Sequence, residues 1–141
     1  GYAYIWQLTW YKASLMQLDY IENINEFGEN VVRLYNFDKS QVIKFRALIK
    51  DTIVNRKLRL DLSQIDFIET RNCNLILGLF KTDEGMLSSD NKTFYCALTL
   101  ESYITMLKLL EPFCEKETKG YQYLYDVDNP TDFLFSPAGT W

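Results

Sequence analysis

Hydrophobic and polar positions alternate sharply at the start of the chain. Tyr2, Tyr4, Trp6, Leu8 and Trp10 fall on one face of an extended segment, and Ala3, Ile5, Gln7, Thr9 and Tyr11 on the other. A period of two with aromatic enrichment predicts a β-strand. Its even face is too apolar to be left in water, so it belongs to the core or to a partner. Gln17 to Ile24 predicts a second strand, with Leu18 and Tyr20 set against Asp19 and Ile21. Asn25, Gly28 and Asn30 mark a turn, and Val31 to Phe37 predicts a third strand close enough to form a hairpin with the second.

The period then changes. Asp38 is a good N-cap, and Gln41 stands three residues later as a capping box requires. Val42, Phe45, Ile49 and Ile53 recur at helical spacing, which predicts a helix running to about Val54. Arg56 and Lys57 near its end suit the helix dipole. Leu58, Leu60 and Leu62 alternate with Arg59 and Asp61 as in a strand. Ser63-Gln64 marks a turn or bulge before another extended piece at Ile65 to Glu69. Asn72 to Lys81 is apolar on both faces through Leu75, Ile76, Leu77, Leu79 and Phe80, which predicts a central strand covered on both sides. Thr82 to Asn91 is a polar turn region, and Thr93 to Leu98 predicts a strand.

Thr99 caps a second helix with an expected apolar face of Leu100, Tyr103, Ile104, Leu107 and Leu110. Pro112 is expected to end or kink it. After a charged loop at Glu115 to Gly120, Tyr121, Tyr123 and Tyr125, then Phe133 and Phe135, predict two short strands about a turn at Asn129-Pro130. Strands come in runs, not in strict alternation with helices. The expected fold class is therefore α+β, a mostly antiparallel sheet with two main helices packed on it. No composition shift marks a boundary, so one domain over residues 1–141 is expected.

Composition narrows the chemistry. There is no histidine. Histidine is the usual general base and the commonest metal ligand, so a Ser-His-Asp triad, a Cys-His pair and a His-ligated metal are all excluded. No glycine-rich phosphate loop is present, and no cofactor is implied. Catalysis would have to rest on carboxylates or cysteines, which leaves an enzyme as the third expectation. The three cysteines, Cys73, Cys96 and Cys114, form no CxxC and are too scattered for a disulfide framework. Their odd number suits a reducing compartment, and a cytoplasmic location is expected. With no run of about 18 apolar residues, no membrane association is expected either. Asn91-Lys92-Thr93 matches a glycosylation sequon, a pattern that arises easily by chance.

Charge adds one asymmetry. The chain is acidic, with 19 Asp and Glu against 15 Lys and Arg. Yet residues 39–59 hold seven basic side chains and one acid, Asp51. On an ideal α-helix Lys39, Arg46, Lys50 and Lys57 fall within about 20° of one line. This stripe is the candidate site for a small anionic ligand. Nucleic acid is not expected, because an acidic domain is repelled by phosphates at long range. The cluster Asp126, Asp128, Asn129 and Asp132 loosely resembles a calcium loop. It lacks the glycine at position 6 and has Pro137 where the bidentate glutamate belongs, so an Asx-rich turn is the better reading.

The aromatic residues point to association. Trp6, Trp10 and Tyr11 are candidate interface residues on a strand that needs cover. The leading expectation is a non-catalytic protein-interaction or structural module whose partner is a protein, with a second copy of the chain as the first candidate.

Overall fold

The computed structural model describes residues 14–125 and 131–137. The expected first strand at residues 2–11, the turn at Asn129-Pro130, and Asp126 and Asp128 lie outside the described residues. So do the candidate interface residues Trp6, Trp10 and Tyr11.

Strands β1 (Met16–Ile21) and β2 (Asn30–Tyr35) form the expected hairpin. The main chain turns between them with Gly28 at φ 72, a left-handed conformation that glycine adopts without steric cost. Helix α1 (Lys39–Leu48) starts at the capping box. The Asp38 carboxylate accepts the Gln41 N–H at 2.9 Å, and the Gln41 side chain accepts the Asp38 N–H at 2.9 Å. The expected stripe is in place, with Val42, Phe45, Ile49 and Ile53 all buried. The helix does not stay α-helical to its end, however. Residues Ile49–Asn55 wind as a π-helix, and Lys57 follows at φ 59. The wider turn still keeps Ile49, Thr52 and Ile53 on the core side.

Next come β3 (Leu60–Asp61), a 3-10 turn at Leu62–Gln64, β4 (Ile68–Thr70), β5 (Asn74–Leu79), β6 (Gly85–Leu87) and β7 (Thr93–Leu98). Helix α2 (Leu100–Glu115) is capped by Thr99, whose hydroxyl accepts the Ser102 N–H at 3.3 Å. Strands β8 (Gln122–Tyr125) and β9 (Thr131–Ser136) are the two short strands expected from the alternating aromatics, and they pair antiparallel.

The strands form two sheets, ordered β4-β1-β2-β9-β8 and β3-β5-β7-β6. Both are mixed, which corrects the expectation of a mostly antiparallel sheet. The pairs β1–β4, β2–β9 and β5–β7 are parallel. Parallel neighbours require long crossover connections. Here α1 and the segment after it carry the chain from the hairpin round to β4, and β6 lies within the crossover between β5 and β7. Alternation along a chain marks strands but carries no information on partner or direction.

Three further expectations are corrected. Pro112 neither ends nor visibly breaks α2, which continues through Glu115. The proline removes one N–H from the last turn, but Phe113 anchors that turn by packing edge-on against Phe135, with centroids 5.3 Å apart. The buried side of α2 is Tyr103, Met106, Leu107, Leu110 and Phe113, while Leu100 and Ile104 are exposed. Strand β5 is central in its sheet, as expected, but it is not covered on both sides. Leu75 and Leu77 are fully buried, whereas Ile76 is half-buried on the opposite face and Phe80 beyond it is 53% exposed.

One continuous core joins both sheets and both helices. Phe135 of β9 is its hub, stacked on Phe37 at 4.1 Å and on Phe45 at 6.2 Å. Tyr20 of β1 meets Phe94 of β7 at 4.7 Å, tying the two sheets together. The two helices are joined by Arg46, whose Nε donates to the Leu107 carbonyl at 2.9 Å.

Candidate functional site

The inner side of the four-stranded sheet is built for packing. Leu60, Leu77, Cys96 and Phe94 point inward and are buried. The alternate residues point outward, and the register sets Gly78 beside Ala97 and Ile76 beside Tyr95. Leu87 of β6 lies beside Tyr95 from the other side. Tyr95 is 43% exposed and Leu87 40%. Two adjacent small residues between large ones leave a depression. It has a volume of about 220 Å³, a floor at Gly78 and Ala97, and walls from Ile76, Phe80, Leu87 and Tyr95. Arg59 closes one end: a Cβ placed on Gly78 would lie 3.3 Å from its Cγ. A larger residue at 78 would therefore have to displace the arginine stem.

The notch floor is held from behind. The Tyr103 hydroxyl of α2 donates to the Cys96 carbonyl and accepts the Gly78 N–H at 2.9 Å. The phenol is fully buried, and that burial pushes its pKa well above the ordinary value. It is a fixed neutral strut.

A second concavity, of about 980 Å³, runs between α1 with its π-helical continuation and the segment around β3. Its floor is apolar through Leu48, Leu60 and Ile65. Its charged lining is mixed, Lys44, Arg56 and Arg59 against Asp51, Asp61 and Asp66. Arg56 and Asp51 pair at 3.3 Å, both well exposed. Asp61 receives hydrogen bonds from Asn74 and Ser63. Carboxylates in equal number offset the cations there.

The four residues of the expected basic stripe differ in their surroundings. Lys39 opens α1, with its main-chain N–H bound to Glu117 at 3.0 Å. Arg46 is engaged with Leu107 between the helices. Lys50 is exposed at the start of the π-helical segment. Lys57 lies past the helix and bonds back to the Val54 carbonyl. None of the four lines either concavity.

Reactive groups are sparse among the described residues. Burial pushes the thiols of Cys73 and Cys96 up to about 12, and that of Cys114 upward too. A thiol so shifted is almost wholly protonated at neutral pH and is a poor nucleophile. All three cysteines are free. Among the described residues, no three acidic or thiol side chains come close enough together to hold a metal ion. Asp132 is buried in β9, within a strand and not in an open loop.

Sequence reasoning passed over Gly78, Phe80, Leu87, Tyr95 and Ala97. One signal pointed to Gly78 and Phe80: the segment around β5 is apolar on both faces. Double coverage is one cause of that pattern, and an apolar face left open is another. In comparisons with known proteins, the chain matches no protein-family model and no curated protein.

Proposed function

We propose that the protein is a non-catalytic protein-binding module that engages its partner through the outer face of the four-stranded sheet. One observation carries the reading: an apolar notch walled by exposed aromatic and aliphatic side chains lies open in the middle of that face. Aromatic side chains around a small-residue depression are what interface hot spots are made of, because a partner side chain seated there is fully desolvated. The protonated thiols and the scarcity of grouped titratable side chains support a binding role over a chemical one. The free thiols also support a reducing setting, for which we propose the cytoplasm. No helix among the described residues is long and apolar enough to cross a membrane.

The test is photo-crosslinking in extracts of the source cells. A benzophenone amino acid replaces Phe80, and the control carries it at Glu101, an exposed position on α2. Protein adducts formed from position 80 and not from position 101 support the reading. Equal adducts from both, or none from position 80, overturn it.

A further inference from the structure

We propose that the notch takes the C-terminal residue of a partner protein: an apolar side chain seated between Gly78 and Ala97, with its own α-carboxylate on the guanidinium of Arg59. This rests on the protein-binding reading above and names what the partner presents. The notch measures about 220 Å³ and is lined by Ile76, Phe80, Leu87 and Tyr95. A cavity of roughly 150 Å³ is enough to hold benzene, so there is room for one leucine, isoleucine or phenylalanine side chain.

The charge beside the notch selects the rest of the ligand. Arg59 is the one charged residue that lines it. A Cβ placed on Gly78 would lie 3.3 Å from the Arg59 Cγ and 4.0 Å from its Nε, so the cationic head begins at the floor itself. Among the described residues Arg59 takes part in no ion pair. Asp61 lies on the same face, but one of its oxygens is bound to the Asn74 amide at 2.9 Å and to Ser63, and it does not line the notch. An exposed guanidinium offers a fork of donors that matches a carboxylate.

The short distance decides where on the partner that carboxylate sits. In an extended segment the next side chain points to the opposite face, and the one after it stands about 7 Å along. A cation at the notch floor is therefore met best by a carboxylate on the same residue that fills the notch. In a protein only a C-terminal residue carries an apolar side chain and a carboxylate on one Cα. Such an anchor also suits the small area of this face, because it needs only the inner strands β5 and β7 and not the short edges β3 and β6.

The experiment is a nitrogen-15 NMR titration of the whole chain, following the amides of Gly78 and Ala97. The probes are N-acetylglycylleucine, its C-terminal amide, and N-acetylaspartylleucinamide, which moves the carboxylate to the preceding residue. The expected result is a dissociation constant on the order of 1 mM for the free acid, with both amide-capped probes about fivefold weaker. Arg59→Gln should remove that preference, and Ala97→Leu should remove the binding; far-UV circular dichroism checks that each variant is folded. No shift at Gly78 and Ala97, equal binding of acid and amide, a preference that survives Arg59→Gln, or an aspartyl probe as good as the free acid each overturns the proposal. Any of these outcomes with protein adducts still formed selectively from position 80 overturns the C-terminal ligand while the protein-binding reading stands. The same outcome without such adducts overturns both.

Discussion

Tyr103→Phe removes a single oxygen atom, and the structure says what that oxygen does. Strands β5 and β7 are parallel, and Phe80 N–H donates to the Leu98 carbonyl at 2.8 Å. Two residues back along both strands stand Gly78 N–H and the Cys96 carbonyl, the next donor and acceptor of the same ladder. The Tyr103 hydroxyl binds both of them. Phenylalanine fills the same space but offers neither a donor nor an acceptor. A buried polar group left without a partner costs about 1–3 kcal/mol, and here two are released together. If the strands close directly on each other, part of that is recovered. The expected loss is therefore about 2–4 kcal/mol, which lowers the melting temperature by roughly 3–4 °C per kcal/mol for a chain of this size. Urea unfolding followed by far-UV circular dichroism measures the loss. Native-state hydrogen exchange should show faster exchange at Gly78 while the amides of β1 and β2 keep their protection. A loss below about 0.5 kcal/mol with Gly78 exchange unchanged would refute the reasoning, since the hydroxyl would then contribute no net hydrogen bond to the sheet.

Three further outcomes are expected. Phe135→Ala empties the hub between Phe37, Phe45 and Phe113 and should cost about 3–5 kcal/mol in denaturant titration, enough to leave the domain marginal; a cost near 1 kcal/mol would mean that the site collapses around the gap. Disulfide-exchange labelling at pH 8 should modify Cys73 and Cys96 only after unfolding, with Cys114 first among the three and slower than free cysteine; rapid native labelling of either buried thiol would contradict its raised pKa. The carboxyls of Asp38 and Asp83 are held below the ordinary carboxylate range, chiefly by the main-chain N–H groups of Gln41 and Thr99. Depressed carboxyls stabilise the fold above their unfolded pKa and cease to do so as pH falls through the folded value. Stability should therefore decline below about pH 4, and Asp38→Asn should flatten that decline when melting temperature is followed against pH.

Much of the architecture was legible because it is local. The capping box at Asp38 and Gln41, the Thr99 cap, the buried stripe of Val42, Phe45, Ile49 and Ile53, and the alternation in β1, β2, β8 and β9 each involve residues near one another in the chain. What escaped the sequence depends on residues far apart. The parallel pairing of β2 with β9 is made from opposite ends of the described chain. The persistence of α2 past Pro112 depends on Phe113 meeting Phe135. The surroundings of the basic stripe were also out of reach: Arg46 is held by the Leu107 carbonyl of the other helix, and Lys57 lies past a π-helical segment where 100° per residue no longer applies. The candidate site lies between these cases. The apolar outer residues of β5 were visible as apolar, but only the sheet order shows that no described element packs over them.

The same sheet order bears on how a partner would approach. The edge strands of the two sheets are β4 and β8, and β3 and β6, of three, four, two and three residues. Short edges offer few main-chain groups for pairing, which is how natural sheets limit edge-to-edge addition. The β8–β9 pairing is further interrupted by a register shift between Tyr123 and Tyr125. Strand addition would therefore gain little at any of these four edges. The outer face of the four-stranded sheet has the opposite character. Its longest strands, β5 and β7, are the inner ones, and the notch at Gly78 and Ala97 lies between them. A partner docking on the face meets a floor fixed from behind by Tyr103, so little ordering entropy remains to be lost on that side of the contact. If binding uses this surface, substitutions at Phe80 and Tyr95 should weaken it far more than substitutions along the β6 or β8 edges. The reverse order would assign the contact to an edge and not to the face.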